Sequence, residues 1–203
     1  MTAVGELVVA SPVEAWQTIG LNVSNGVARI GGIALRFGPV DASGREGVVS
    51  WGLVGSPTEV EEIDGLATHH LTRAPAGAHD HALDIVGFDH LVVMTSSLER
   101  TCGAIQAATG EPLKRIREAG AICQGFHRFG ELIVEVVESP QVTGPAASFW
   151  GFVWIVADLH DTCERLGPDV VSRPKAAVQP GRFIASVLTS VGLGVPLALM
   201  TTS

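Results

Sequence analysis

Two side chains in this 203-residue chain have the types and setting to share one chemical task. One is His90, in the run Asp89-His90-Leu91-Val92-Val93; the other is Glu135, in Leu132-Ile133-Val134-Glu135-Val136-Val137. Both runs are strand-like, and a strand shows every second residue on one face. His90 therefore shares a face with Val92, and Glu135 with Ile133 and Val137. If the two strands join in a curved sheet, imidazole and carboxylate meet on its concave side. Such a pair is half of a site for one divalent metal, Zn, Mn, Fe or Ni. The plainer reading is a histidine hydrogen-bonded to Asp89 and a strand carboxylate flanked by Glu131 and Glu138.

Other residues belong to the same question. A two-residue turn at Phe129-Gly130 sets Gln124 opposite Glu135 and Phe126 opposite Ile133, so both line the same floor. Trp150 lies near the cleft rim as a candidate ligand platform, although Trp150 and Trp154 also suit a core. Arg182, after Gln179-Pro180-Gly181, is a candidate clamp for an anionic substrate, or else a solvated strand end. His79 and His81 alternate along one face of an extended segment, but two loop ligands without an acidic or cysteine partner read as a solvated loop. Cys102, Cys123 and Cys163 are odd in number and lack metal-finger spacing. Cys102 and Cys163 read as small buried hydrophobes.

The elements that must position these residues repeat. Moved forward by 61 positions, Leu98 falls on Leu159, Thr101-Cys102 on Thr162-Cys163, and His90 on Gly151. Moved backward, Leu91-Val92-Val93 matches Leu7-Val8-Val9, again followed by a helix start. Each copy reads as strand, helix, three strands. In the first copy the strands are 6–10, 26–30, 33–37 and 47–54, with a helix opened by Ser11-Pro12-Val13-Glu14 as a capping box. In the second, Ser96-x-x-Glu99 is the box and Gly110 the stop. Strands at 112–117, 121–127 and 132–137 follow. In the third, Asp158 or its neighbour caps a helix ended by Gly167, followed by strands at 170–171, 181–188 and 195–200. Pro196 places the last strand at an edge or at its own first residue. Residues 67–84, rich in small and polar residues, read as a linker between a unit at 1–66 and a domain at 85–203.

Composition narrows the class. Hydrophobic residues make up 46% and charged residues 17%, as in an ordinary globular chain. A net charge of -8 without a Lys/Arg cluster argues against nucleic-acid binding, which needs a cationic face. Apolar runs are strand-sized, so no membrane span is expected. No basic leader precedes an apolar segment, and a reduced cytoplasm is the expected compartment.

The repeated β-α-β-β-β pattern, with Asp89-His90-Leu91-Val92-Val93 opening one copy and Gly130-x-x-x-x-Glu135 closing it, resembles the vicinal oxygen chelate superfamily. That is the glyoxalase, bleomycin-resistance and extradiol dioxygenase group. The resemblance covers residues 85–202 well and the first copy loosely. It implies an α/β (α+β) fold in which paired units build a cleft floored by an eight-stranded curved sheet. Each unit then gives one metal ligand from its first strand and one from its last. His90 and Glu135 match those positions in the middle unit. In the third unit they fall on Gly151 and Ala198 or a neighbour, which bind no metal. Glu6, the linker histidines or another subunit stand as sources of the missing ligands. The resemblance leaves two activities open: a cleft binding a small, largely apolar molecule with a partly degenerate metal site, or a metal-dependent lyase, isomerase or dioxygenase in which Glu135 doubles as base. Because units pair, three of them imply a homodimer with the opening unit at its interface.

Overall fold

The computed structural model describes residues 1–40, 44, 46–77 and 81–202. Strand β1 (Ala3–Ala10) leads into a short helix, α1 (Val13–Thr18). Then come β2 (Val27–Ile30), β3 (Ile33–Gly38), β4 (Gly47–Val54), β5 (Glu62–Ile63) and β6 (Leu66–Leu71). They form one six-stranded sheet, ordered β2-β3-β1-β4-β6-β5. The second half runs β7 (Ile85–Thr95), α2 (Leu98–Thr109), β8 (Arg115–Ala119), β9 (Ile122–Phe129) and β10 (Leu132–Glu138). It continues with β11 (Ser148–Val156), α3 (Leu159–Leu166), β12 (Lys175–Ala176), β13 (Phe183–Ser186) and β14 (Leu197–Thr201). These strands form an eight-stranded sheet ordered β12-β13-β14-β11-β7-β10-β9-β8.

The helix ends differ from the sequence reading at two of three caps. Ser97, not Ser96, caps α2 by accepting from Arg100 N at 3.3 Å, while Ser96 Oγ donates to Gly144 O at 2.8 Å. Ser11 does not cap α1: it donates to Leu193 O at 2.8 Å and accepts from Trp16 Nε1 at 2.9 Å. Asp158 caps α3 through Asp161 N at 3.0 Å, and Gly110 closes α2 with a left-handed φ of 74°. Residues 170–171 supply only a bridge from Val171 to Val187. β14 begins directly after Pro196 and lies between β13 and β11, so the proline marks a strand start rather than an edge.

The ladders reveal four units where the repeat counts three. In the second sheet each unit pairs its last strand in parallel with its first, β10 with β7 and β14 with β11. The two units then join through the antiparallel pair β7–β11. The first sheet repeats this plan: β3 is parallel to β1, β6 is parallel to β4, and β1–β4 is the antiparallel seam. β4, expected as the last strand of the opening unit, is thus the first strand of the next. That unit keeps β4, β5 and β6 and has lost its helix. Strand β6 lies in the stretch read as a linker.

The two sheets pack back to back around one core. Trp16 sits with its ring centroid 5.4 Å from Phe37, 6.0 Å from Phe152 and 5.8 Å from Trp154. Trp51 of β4 meets Phe129 at 5.6 Å and Phe149 at 5.5 Å. The opening unit is therefore mated within its own chain, and its apolar face is covered there. The dimer argument from an odd number of units loses its premise. Burial of these aromatic faces stabilises at about 25 cal/mol for each Å² of apolar area, and it leaves the opposite sheet faces for other uses.

Candidate functional site

The site begins with an extra residue. Along the β7–β11 seam Phe88 pairs with Trp154 and His90 with the adjacent Val153, so Asp89 is a bulge in β7. Phe88 turns inward, 5.4 Å from Phe152. Asp89 and His90 both line the outer cavity of the eight-stranded sheet. An unbroken strand would have sent these two neighbours to opposite faces.

From this bulge a polar network crosses the sheet. His90 Nδ1 lies 2.7 Å from Asp89 Oδ2, and His90 Nε2 lies 3.5 Å from Glu135 Oε2. Gln124 Nε2 donates to Glu135 Oε1 in a short hydrogen bond. On the far side Arg182 Nη1 donates to Asp89 Oδ1 at 2.6 Å, while its Nε and Nη2 donate to Thr201 O at 3.1 and 2.8 Å. Burial by itself would raise the Asp89 pKa, but the hydrogen bonds from His90 and Arg182 outweigh it and hold the carboxyl below its usual range. An ionised Asp89 accepts the Nδ1 proton of His90. That leaves His90 Nε2 facing the Glu135 carboxylate.

Gln124 and Phe126 line the cavity as expected, but the register differs. The hairpin turns on Gly130-Glu131, with Leu132 paired to Phe129, so Phe126 faces Glu135 and Gln124 faces Val137. Gly130 takes a φ of 63°, the left-handed geometry that tight hairpins demand. A slip of two residues keeps each side chain on its face, and Gln124 still reaches Glu135 on the diagonal.

Other candidates fall elsewhere. Arg182 is buried and holds Asp89 in place, so its fork is not open to a substrate. Trp150 is 52% exposed and is not among the cavity-lining residues, while Trp154 is wholly buried in the aromatic core. A Cβ on Gly151 would collide with the Pro196 carbonyl, so that position carries no side chain toward the site. The residue across from His90 is Val153, itself paired with Ala198. Neither ligates metal.

Nor does the first half complete the site. Glu6 lies on the other sheet and accepts from Arg36 Nε and Nη2 at 3.0 and 2.8 Å, with His69 Nε2 at 3.1 Å. His70 Nε2 lies 3.0 Å from Val60 O. His81 is buried, with Asn22 N donating to its Nδ1 at 3.1 Å, which removes it from the solvated-loop reading. His79 lies outside the described residues.

The donor set is compatible with a cation. Two ligand atoms each about 2.1 Å from one tetrahedral ion stand roughly 3.4 Å apart, and His90 Nε2 and Glu135 Oε2 are 3.5 Å apart. Gln124, which also lines the cavity, has its Oε1 buried without a hydrogen-bond partner. Among the described residues no cluster of three His, Cys, Asp or Glu has metal-binding geometry.

Sequence reasoning named the Asp89–His90 hydrogen bond but missed the bulge and the Asp89–Arg182 pair, because a bulge leaves no mark in residue type. It also missed the cationic rim of the cavity, which includes Lys114 and Lys175. A signal for the rim was present: these are the protein's only lysines.

No family model and no curated protein sequence matches the chain. Solved structures do. Methylmalonyl-CoA epimerase from Mycobacterium tuberculosis aligns with a TM-score of 0.51 at 14% identity, over 60% of this chain and 91% of its own. A triple mutant of 4-hydroxymandelate synthase from Streptomyces coelicolor aligns with a TM-score of 0.65 at 10% identity, over 99% of this chain and 92% of its own. The second alignment takes in both sheets. No helix of the described residues is long and apolar enough to cross a membrane.

Proposed function

On the vicinal oxygen chelate fold that this chain adopts, we propose that the eight-stranded sheet binds a small organic ligand through a divalent metal held by His90 and Glu135. One observation carries the reading: His90 Nε2 and Glu135 Oε2 stand 3.5 Å apart in the cavity lining, a separation that one cation between them spans. A metal ion between an imidazole nitrogen and a carboxylate oxygen would be bound by both. Zn, Mn, Fe and Ni all accept a nitrogen and oxygen donor set of this kind.

A metal bound there acts as a Lewis acid toward an oxygen of the ligand. The chain's own part is positional. Arg182 fixes Asp89, Asp89 fixes the His90 tautomer, and Gln124 holds one Glu135 oxygen so that the other faces His90. The cavity, about 820 Å³, has Phe126, Ile133, Ile184 and Met200 on its apolar walls. That volume and lining suit a ligand with an apolar body.

A second reading makes the centre catalytic, of lyase, isomerase or dioxygenase type. It is favoured by Glu135, a partly buried carboxylate on the cavity floor, placed to exchange a proton with a bound ligand. Metal analysis of tag-free protein equilibrated with each ion, for wild type and His90→Ala, tests the primary reading. Stoichiometric metal in the wild type and none in the variant, with unchanged circular dichroism, is expected. A wild type that takes up no metal overturns it.

A further inference from the structure

The charge around this cavity runs against the charge of the molecule. The chain carries 13 Lys and Arg against 21 Asp and Glu. Yet Lys114, Arg115, Arg117, Arg128 and Lys175 all line the cavity, and only Asp89 and Glu135 oppose them. Asp89 is already spent on Arg182 at 2.6 Å. Among the described residues only Arg128 of the five has a carboxylate partner, Glu131 at 3.7 Å.

The fold gathers these cations. Arg115 and Arg117 lie on β8 and Lys114 just before it; Lys175 lies on β12. β8 and β12 are the opposite ends of the eight-stranded sheet, yet both line one cavity, so the sheet curls until its rims face each other. Like charges on facing rims repel, and an anion bound between them relieves that repulsion more than solvent screening does. A low-dielectric cleft lined by one sign of charge also draws in ligands of the other sign.

We propose that the ligand is an oxyanion: an organic carboxylate or phosphate whose charged group is held at the rim by Lys114, Lys175 and the β8 arginines, with its apolar body on the floor. This inference rests on the reading of the cavity as the ligand site and adds the class of ligand.

Calorimetry with octyl phosphate, octanoate and octanol tests it, in the wild type and in Lys114→Ala/Lys175→Ala, with metal content measured on the same samples. Both anions are expected to bind more tightly than octanol, with affinity falling as salt rises. Whichever anion binds more tightly identifies the source of the charged group. The double variant is expected to lose about tenfold in anion affinity and to keep its metal and its circular dichroism. Octanol binding as tightly as the anions, or a double variant matching the wild type, overturns the proposal while the metal reading stands. Anion selectivity in a protein that takes up no metal sustains this proposal and removes the metal one.

Discussion

Arg36 grips Glu6 through both Nε and Nη2, at 3.0 and 2.8 Å, and these two residues hold the ladder positions in the first sheet that Glu135 and His90 hold in the second. Glu6 pairs with Ala34 and Val8 with Arg36, just as His90 pairs with Ile133 and Val92 with Glu135. In one sheet an imidazole faces a carboxylate; in the other a guanidinium does. The two outer faces share a framework, and on the proposed reading only that of the second sheet takes a metal. Arg36→Ala is therefore expected to leave metal uptake unchanged. Because Arg36 is 52% exposed, the variant should lose no more than about 1 kcal/mol in urea unfolding. Loss of metal in this variant would show that the first sheet takes part.

Arg182 is the opposite case. Its ion pair with Asp89 is buried on both sides, and breaking a buried pair by removing one partner costs about 3–5 kcal/mol. Arg182→Ala should show a loss of this size in denaturant unfolding, and weaker metal binding because Asp89 no longer has a fixed place.

Asp89 also ties stability to pH. Its folded pKa lies below the ordinary 3.8, so the native state favours the ionised carboxyl. The stabilisation is full above the unfolded value, and it is lost as pH falls through the lower folded value. The stability gap between wild type and Asp89→Asn should be constant near neutrality and close in strong acid. Paired urea titrations from neutrality down through pH 3 check this, and a gap that widens on acidification would refute the sign.

Gln124 bears on both stability and binding. Its Oε1 is buried without a partner, but its Nε2 donates to Glu135, so Gln124→Leu removes a charge-assisted hydrogen bond and should lower the metal-free melting temperature modestly. Metal affinity should fall about 10–100-fold. Thermal melts of metal-free protein and metal titrations report the two effects separately.

Cys102 should be inert. Burial, with a smaller contribution from Cys123, pushes its thiol up to about 11, so little thiolate exists near neutrality. Iodoacetamide treatment of native protein followed by mass spectrometry should leave Cys102 unmodified, whereas all three cysteines react after unfolding.

With the opening unit mated inside the chain, light scattering at micromolar concentration should return a mass near 21.2 kDa. A stable species of twice that mass would place an interface on some other face.

The sequence by itself determined a good deal. Period-two strands, Asp158 and Gly110 at helix ends, and the repeat at 61 positions are local or near-local signals, and they sufficed for the fold and for His90 and Glu135 on one face. Tertiary structure decided the rest. Whether β4 closes one unit or opens the next depends on which strand it pairs with, and backbone pairing is blind to residue order. A bulge at Asp89 turned Asp89 and His90 to the same cavity, because one inserted residue changes a register without changing any residue type. The cationic rim arose from the curl that brings β8 to β12, strands whose residues lie about sixty positions apart. Charge attraction and repulsion act through space, so a cluster of this kind has no signature along the chain.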